Sequence, residues 1–195
     1  MEYSYETKAP KIRIAVLIGK SGETKKKIEE TTHTKLIIDS KEGDVTIEGS
    51  DPLGLLSARE IVKAVGRGFN PEVALLLLKP DYILNMINLN DFTKNANTLN
   101  RIKGRVIGKD GKTRNIIEDH TETYISVYGK TIAIIGEPEN VTTARKAVEA
   151  LLTGSPHASV YKWLEKKRAQ LHESKITNNE EFRENLKIKE DTKEE

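Results

Sequence analysis

Residues 106–117 read VIGKDGKTRNII, and the fold turns on what the Gly-Lys-Asp-Gly-Lys-Thr within them does. Glycines and lysines ahead of a helix suit two kinds of polyanion, the phosphates of a nucleotide or the backbone of a nucleic acid. A nucleotide-hydrolysing loop requires Gly-x4-Gly-Lys-Ser/Thr, because its first glycine begins the turn around the β-phosphate. Counting back from Gly111-Lys112-Thr113, that position is Val106.

Repetition separates the two readings. IGKSGETKKKIEETTHT, residues 18–34, aligns with IGKDGKTRNIIEDHTET, residues 107–123, at a constant offset of 89. Ile, Gly, Lys, Gly, Thr, Ile, Glu and two further Thr coincide. Downstream, Pro52 answers Pro138, and Ala58, Arg59 and Val62 answer Ala144, Arg145 and Val148. The chain is therefore a duplicated unit. In the first copy, counting back from Gly19-Lys20-Ser21, the nucleotide-loop glycine would have to stand at Ile14, so neither copy supplies it. An aliphatic residue there reads as a core anchor ahead of the loop.

A clamp on nucleic-acid backbone accounts for each position. Glycines flanking two variable residues let the main chain approach a sugar-phosphate strand, and the second lies at a helix N-terminus whose free N–H groups attract anions. Lys112 and Arg114, and in the first copy Lys25 with Lys26 and Lys27, crowd that end against the helix dipole, which a bound polyanion would relieve. Residues 93–155 carry ten bases against seven acids, and residues 1–68 twelve against eleven. The second copy is thus expected to make the main contact. The candidate contacts are Gly19, Lys20, Ser21, Gly22, Lys25 and Lys26 in the first copy. In the second they are Arg105, Gly108, Lys109, Asp110, Gly111, Lys112 and Arg114.

Bulk composition bounds the rest. A chain of 195 residues with 36% apolar, 32% charged and 5% aromatic residues folds around mainly aliphatic cores beneath a densely charged surface. A net charge of +2 gives no global pull toward nucleic acid or membrane, so local charge carries that argument. Cysteine is absent, which excludes disulfides and thiolate metal sites and suits a reducing interior. The start MEYSYETK lacks a secretory apolar core, and the run from Val73 to Leu78 is far too short to span a bilayer. The expectation is a soluble cytoplasmic protein. His33, His120, His157 and His172 show no metal-ligand spacing, and no nucleophile elbow is present, so no metal, cofactor or enzymatic activity is expected.

Each unit is expected to open with a short β-like stretch, at 11–14 and at 99–102, that leads into the loop. A helix follows, at 22–33 and at 111–120. Two alternating segments come next, at 35–39 with 45–48 and at 124–127 with 131–135, and a helix closes each unit at 52–65 and 139–152. Between the units, GFNPEVALLLLKPDYILNMINLNDF is too apolar for a free linker. It either fills a groove between the units or offers a surface to a protein partner. After Gly154, Val160, Leu164 and Leu171 recur at helical spacing, and beyond Glu173 charges alternate with few apolar residues.

Gly104-Arg-Val-Ile-Gly108-Lys-Asp-Gly111 followed by a helix, Thr121 and a strand near Tyr124 resembles the core of the KH domain, which grips about four nucleotides of single-stranded RNA or DNA. Wider stretches narrow the resemblance: GRGFNPEVALLLL, GRVIGKDGKTRNIIE and LLTGSPHASVYKWLEKKRAQL are similar to the two-KH factors of small ribosomal subunit assembly, archaeal relatives of the eukaryotic partner of Nob. The resemblance covers residues 8–171. It implies an α+β fold of two tandem type I, eukaryotic-type KH domains, each a three-stranded sheet covered by three helices. The boundaries are a first KH domain at 1–68, an apolar helical connector at 69–92, a second KH domain at 93–155, a helix at 156–172 and a disordered tail at 173–195. It further implies single-stranded RNA as partner, near the 3′ end of small-subunit ribosomal RNA, beside the site cut by the Nob endonuclease. The competing reading is a KH scaffold acting through protein contacts of the Leu75 and Trp163 helices. The sequence departs from the KH pattern at Lys25 and Arg114, where an aliphatic residue is usual, and at Ala15 in place of the glycine at 104.

From the failed nucleotide-loop spacing, the purified protein is expected to hydrolyse neither ATP nor GTP in a phosphate-release assay. Turnover abolished by replacing Lys112 would overturn the reading of the loop.

Overall fold

The computed structural model describes residues 3–170. The tail at 173–195, and the last two residues of the helix expected at 156–172, lie outside the described residues. The first unit runs β1 (Tyr3–Lys8), α1 (Lys11–Ile18), α2 (Glu23–Thr32), β2 (Thr34–Ile38), β3 (Asp44–Gly49) and α3 (Pro52–Gly66). A short α4 (Pro71–Ala74) then continues into a 3-10 turn, Leu75–Leu78. The second unit runs β4 (Ile83–Asn88), α5 (Ala96–Ile107), α6 (Lys112–Thr121), β5 (Tyr124–Tyr128), β6 (Thr131–Gly136) and α7 (Pro138–Leu152). Helix α8 spans residues 157–170. The sheets are antiparallel with orders β1-β3-β2 and β4-β6-β5. Among the described residues no helix is long and apolar enough to cross a membrane.

Two expectations fail at the start of each unit. The stretches 11–14 and 99–102, read as β-like, lie inside helices α1 and α5. The alternation Lys-Ile-Arg-Ile suggested period two, but Ile12 is 78% exposed while Ile14 and Leu17 are buried, which is helical spacing. In α5 the buried residues are Leu99, Ile102 and Val106, again three and four apart. Asn95 caps that helix, its side chain accepting from the N–H groups of Asn97 and Thr98. The true first strands are β1 and β4.

The second strand revises the connector. In the expected 69–92 segment residues 71–78 are helical, with one further 3-10 turn at Leu89–Asp91, and Ile83–Asn88 pairs along its length with β6 as the first strand of the second sheet. The second unit thus begins near Ile83 rather than at 93.

Each sheet packs one face on its own helices. Val45, Ile47 and Leu36 join Ile14, Leu17, Ile28, Ile61 and Val65 in the first core, while Ile132, Ile134 and Ile125 join Ile102, Val106, Ile117, Val148 and Leu151 in the second. The other faces differ. In the first sheet the outward row includes Lys35, Thr46 and Glu48, which are exposed or half-buried. In the second, Ala133 and Ile135 are fully buried on that side, in the same cluster as Phe69, Ala74 and Leu77 of the first unit, with Leu84 and Met86 packed alongside. Ser126 on this face donates from Oγ to the carbonyl of Arg67 at 2.9 Å. Residues 69–78 therefore do fill the groove between the units.

Gly68 makes that approach possible. Its φ is +101°, and a Cβ built on it would lie 2.6 Å from Ser126 Oγ and 3.1 Å from Tyr128 Cβ. It also terminates α3: its N–H donates to Val65 O at 3.1 Å and that of Phe69 to Ala64 O at 3.2 Å, the paired bonds of a Schellman end. Gly154 and Ser155 close α7 the same way, on Leu151 O and Ala150 O.

A buried cluster shared by both units predicts one cooperative unfolding transition in calorimetry. Ile135→Ala should lower the stability of that single transition by about 2–5 kcal/mol, as for other core truncations. Two separate transitions, only one of them moved by Ile135→Ala, would show that the units fold independently.

Candidate nucleic-acid interface

The two loops have one backbone. Gly108 has φ 74° and ψ 176°, Asp110 φ 53° and ψ 30°, and Gly111 φ 77° and ψ 5°. Gly19, Ser21 and Gly22 repeat these at 76° and 176°, 53° and 26°, and 80° and 10°. Gly108 ends α5 by donating its N–H to Gly104 O at 2.8 Å, and four residues later the chain re-enters helix. The first glycine is required by a close approach: a Cβ on Gly108 would lie 2.7 Å from Thr113 N, and one on Gly19 2.8 Å from Thr24 N. The second glycine faces open space in the first copy, where nothing lies within 4 Å of a Cβ built on Gly22. Around Gly111 only Asn115 Oδ1 does, at 3.8 Å.

No side chain caps the N-terminus of α2 or α6. Their first N–H groups and the helix dipole are thus presented toward the loop, a geometry that favours an anion. Val106 and Ile14, where a nucleotide loop needs glycine, are buried at 0% and 3% exposure, as core anchors would be.

Charge separates the copies. Lys109, Asp110 and Lys112 are exposed around the second loop, and Lys20 and Ser21 around the first. Where α6 begins with Lys112, α2 begins with Glu23, which puts an acid at the mouth of the first loop. Lys25 and Arg114 turn back along their own helices, Lys25 Nζ lying 3.8 Å from Glu29 and Arg114 Nε 3.4 Å from Glu118. The Arg114 contact is an ion pair without hydrogen-bond geometry. Lys26 similarly lies 3.8 Å from Glu30 at the exposed surface, where such pairs contribute little.

Arg105 stands apart from the other candidate contacts. Its Nε donates to Leu151 O at 3.0 Å and its Nη2 to Ser155 O at 2.5 Å, so the guanidinium ties α5 to the C-terminal end of α7. Arg13 does the same for α3, donating to Val65 O and Phe69 O at 2.9 and 2.6 Å. Arg105 is a structural fastener of the second unit.

Four contributing side chains escaped the sequence reading. Glu29 and Glu118 accept the outward N–H of the edge strand, from Leu36 at 2.7 Å and Ile125 at 2.6 Å. Their identity at matching positions of the repeat was the available signal. Helix α8 braces the second loop: Tyr161 O–H is 2.8 Å from Thr113 Oγ1, and His157 Nε2 is 2.9 Å from Arg105 O. In the first unit the corresponding place beside Thr24 is an open hollow of about 380 Å³, bordered by Lys27, Asn70 and Leu75.

Comparison with known proteins agrees with this geometry. A profile of the eukaryotic-type KH domain (KH domain type I) matches residues 83–169, and a KH-domain profile matches residues 4–64. A KH domain-containing protein of Methanocaldococcus jannaschii is 49% identical over 173 residues, covering 87% of this chain and 76% of that protein. The chain belongs to the archaeal branch of the PNO1-type KH-domain family. The pre-rRNA-processing protein pno1 of Emericella nidulans is 33% identical over 127 residues, covering 64% of this chain and 49% of that protein. The chain thus spans about half the length of such fungal relatives. Dim2p of Pyrococcus horikoshii matches with a TM-score of 0.79 at 50% identity, covering 84% of this chain and 99% of that one. The same organism's aDim2p in complex with a/eIF2α and rRNA matches at 0.82 and 48%, covering 87% and 96%. The profile match starting at residue 83 and reaching into α8 assigns β4 and α8 to the second KH unit of this family, as the pairing and packing do.

Burial raises the Glu118 carboxyl above its ordinary pKa, against the opposing effects of the Ile125 N–H and the Arg114 charge. The folded state therefore holds a proton more tightly than the unfolded one. Ionised Glu118 lowers stability at neutral pH, and the loss is recovered as pH falls through its raised pKa. Glu118→Gln, which keeps an acceptor for Ile125, is expected to melt above the parent protein at neutral pH and to converge with it in acid. Parallel melting profiles across pH would contradict this.

Proposed function

We propose that this chain binds single-stranded RNA through its Gly-x-x-Gly loops, chiefly the second. The ligand in this reading is small-subunit ribosomal RNA near its 3′ end, during subunit assembly and pre-rRNA processing, with a Nob-type endonuclease acting beside it. The observation that carries the reading is the second loop itself: a glycine-opened backbone, an uncapped helix N-terminus and two exposed lysines, Lys109 and Lys112, converging on one open surface. The Pyrococcus horikoshii protein solved with a/eIF2α and rRNA, and relatives named for pre-rRNA processing, support the choice of RNA. The scaffold reading loses its main surface, because Ala74 and Leu77, the core of the Leu75 segment, are buried between the units.

The first loop shares the backbone but carries Glu23 in place of Lys112, and is the weaker contact. Lys25 and Arg114 act through the glutamates they pair with rather than as free phosphate ligands. Arg105 acts through the frame.

Lys109→Asp puts a second carboxylate beside Asp110 against phosphate. It should remove a charged hydrogen bond of about 1.5–3 kcal/mol, roughly tenfold or more in affinity. The log-log salt slope should become shallower by roughly 0.7, for one phosphate on a single strand. Lys20→Asp combined with Ser21→Asp should weaken binding less. Both proteins should keep the parent's circular dichroism and melting, since the changes are exposed. Unchanged affinity for small-subunit 3′-end RNA in both, with folding intact, would leave protein scaffolding as the function.

A further inference from the structure

A second basic feature lies behind the clamp. Helices α7 and α8 diverge to leave two adjoining hollows of about 280 and 450 Å³ that share Lys146 and Trp163. Ala150 and Val160 line one end, and Lys167 with the single acid Glu139 lines the other. The fold does not require this opening: Val160 and Leu164 already bury α8 on the second core, while Trp163 remains half-exposed. Residues 157–170 carry four bases, Lys162, Lys166, Lys167 and Arg168, against the single acid Glu165. That excess exceeds the +2 of the whole chain.

We propose that this Trp163 groove is a second subsite for single-stranded RNA, receiving nucleotides that leave the second Gly-x-x-Gly loop. The inference rests on the reading of that loop as an RNA clamp. Continuity with the clamp selects RNA as the occupant. Tyr161 and His157 hold α8 against the loop's own helices, and Trp163 is two residues on from Tyr161, about 3 Å further along the helix axis. Loop and groove thus stand at one height on either side of α8, separated by the roughly 10–12 Å diameter of a helix. Exposed Lys162 and Lys166 lie on the turn between them. In the groove a base stacks on the indole, the sequence-tolerant contact of single-strand binders, and Lys146 and Lys167 neutralise the flanking phosphates.

Trp163 is the chain's single tryptophan, so its emission reports on the groove alone. Random-sequence RNA oligomers of about four nucleotides, enough for one KH clamp, and of about twelve would be titrated into the full-length protein, with anisotropy for binding and tryptophan emission for the groove. The longer RNA is expected to bind tighter and quench Trp163, and the shorter to bind without quenching. Lys146→Glu combined with Lys167→Glu should weaken the longer RNA about tenfold, flatten its salt slope by roughly 1.4 for two phosphates, and leave the shorter unaffected. If the longer RNA binds in a Lys109-dependent way, but leaves Trp163 emission and the Lys146/Lys167 variant unchanged, the groove is not an RNA subsite while the clamp stands. If neither RNA binds, or Lys109→Asp has no effect, the clamp reading falls and the subsite with it.

Discussion

The architecture depends on burying the second sheet on both faces. An isolated antiparallel sheet backed by helices leaves one face to water, as the first sheet does with its row of Lys35, Thr46 and Glu48. In β6 the residues alternating with the core residues Ile132 and Ile134 are Ala133 and Ile135, and both are fully buried against the first unit. Leu84 and Met86 of β4 extend the same patch. Left in water, this patch would be an aggregation surface. It selects the conformation of the chain between the units: Gly68 must permit contact with Ser126 and Tyr128, and Ala74 and Leu77 must fill the seam. Two Gly-x-x-Gly loops on one scaffold therefore hold a fixed mutual orientation.

That seam also explains why the units ended up unequal. Both closing helices stop on a Schellman glycine and both are followed by a trailing helix, which the matching ends Gly68 and Gly154 identify as one element of the repeat. After the first unit the chain must turn into β4, and the trailing helix is cut to residues 71–78. After the second it runs on as α8, far enough for His157 and Tyr161 to brace the loop and for Trp163 and four bases to follow. The stronger support and the greater positive charge fall on the same copy. Glu23 against Lys112 at the helix start points the same way.

The sequence made legible whatever the repeat preserved. Loop, following helix, hairpin and closing helix were each visible twice, with the buried Ile28 and Ile117 in register. What it concealed were elements whose local pattern was ambiguous. Lys11 to Ile14 alternates like a strand, and only the exposure of Ile12 shows that tertiary packing chose a helix. Ile83 to Leu89 looked like a continuation of the apolar connector because this edge strand carries apolar residues on both faces, Leu84 and Met86 toward the first unit and Ile87 in the second core, and so loses its alternation. At the site, Lys109, Lys112 and the glycines stand where the motif put them, whereas Arg105 was drawn in by its sequence neighbours. Nothing along the chain shows that its acceptors, Leu151 O and Ser155 O, lie 46 and 50 residues away.

The departures at Lys25 and Arg114 become intelligible as half of a pair. An aliphatic residue there would leave the glutamate four residues on without a counter-charge. Glu29 and Glu118 cannot be dispensed with lightly, since each satisfies a strand-edge N–H that no partner strand reaches. An edge amide so occupied is also closed to a further strand, which protects β2 and β5 from edge-to-edge pairing. Burial makes the ionised Glu118 carboxylate costly, and Arg114 on the preceding turn of the helix offsets part of that cost. The same i,i+4 pairing occurs in both units with lysine in one and arginine in the other, so the constraint acts on charge rather than on guanidinium geometry. Cations that looked like phosphate ligands thus pair within their own helices, and among the described residues the exposed, unpaired positive charge beside the second loop is that of Lys109 and Lys112.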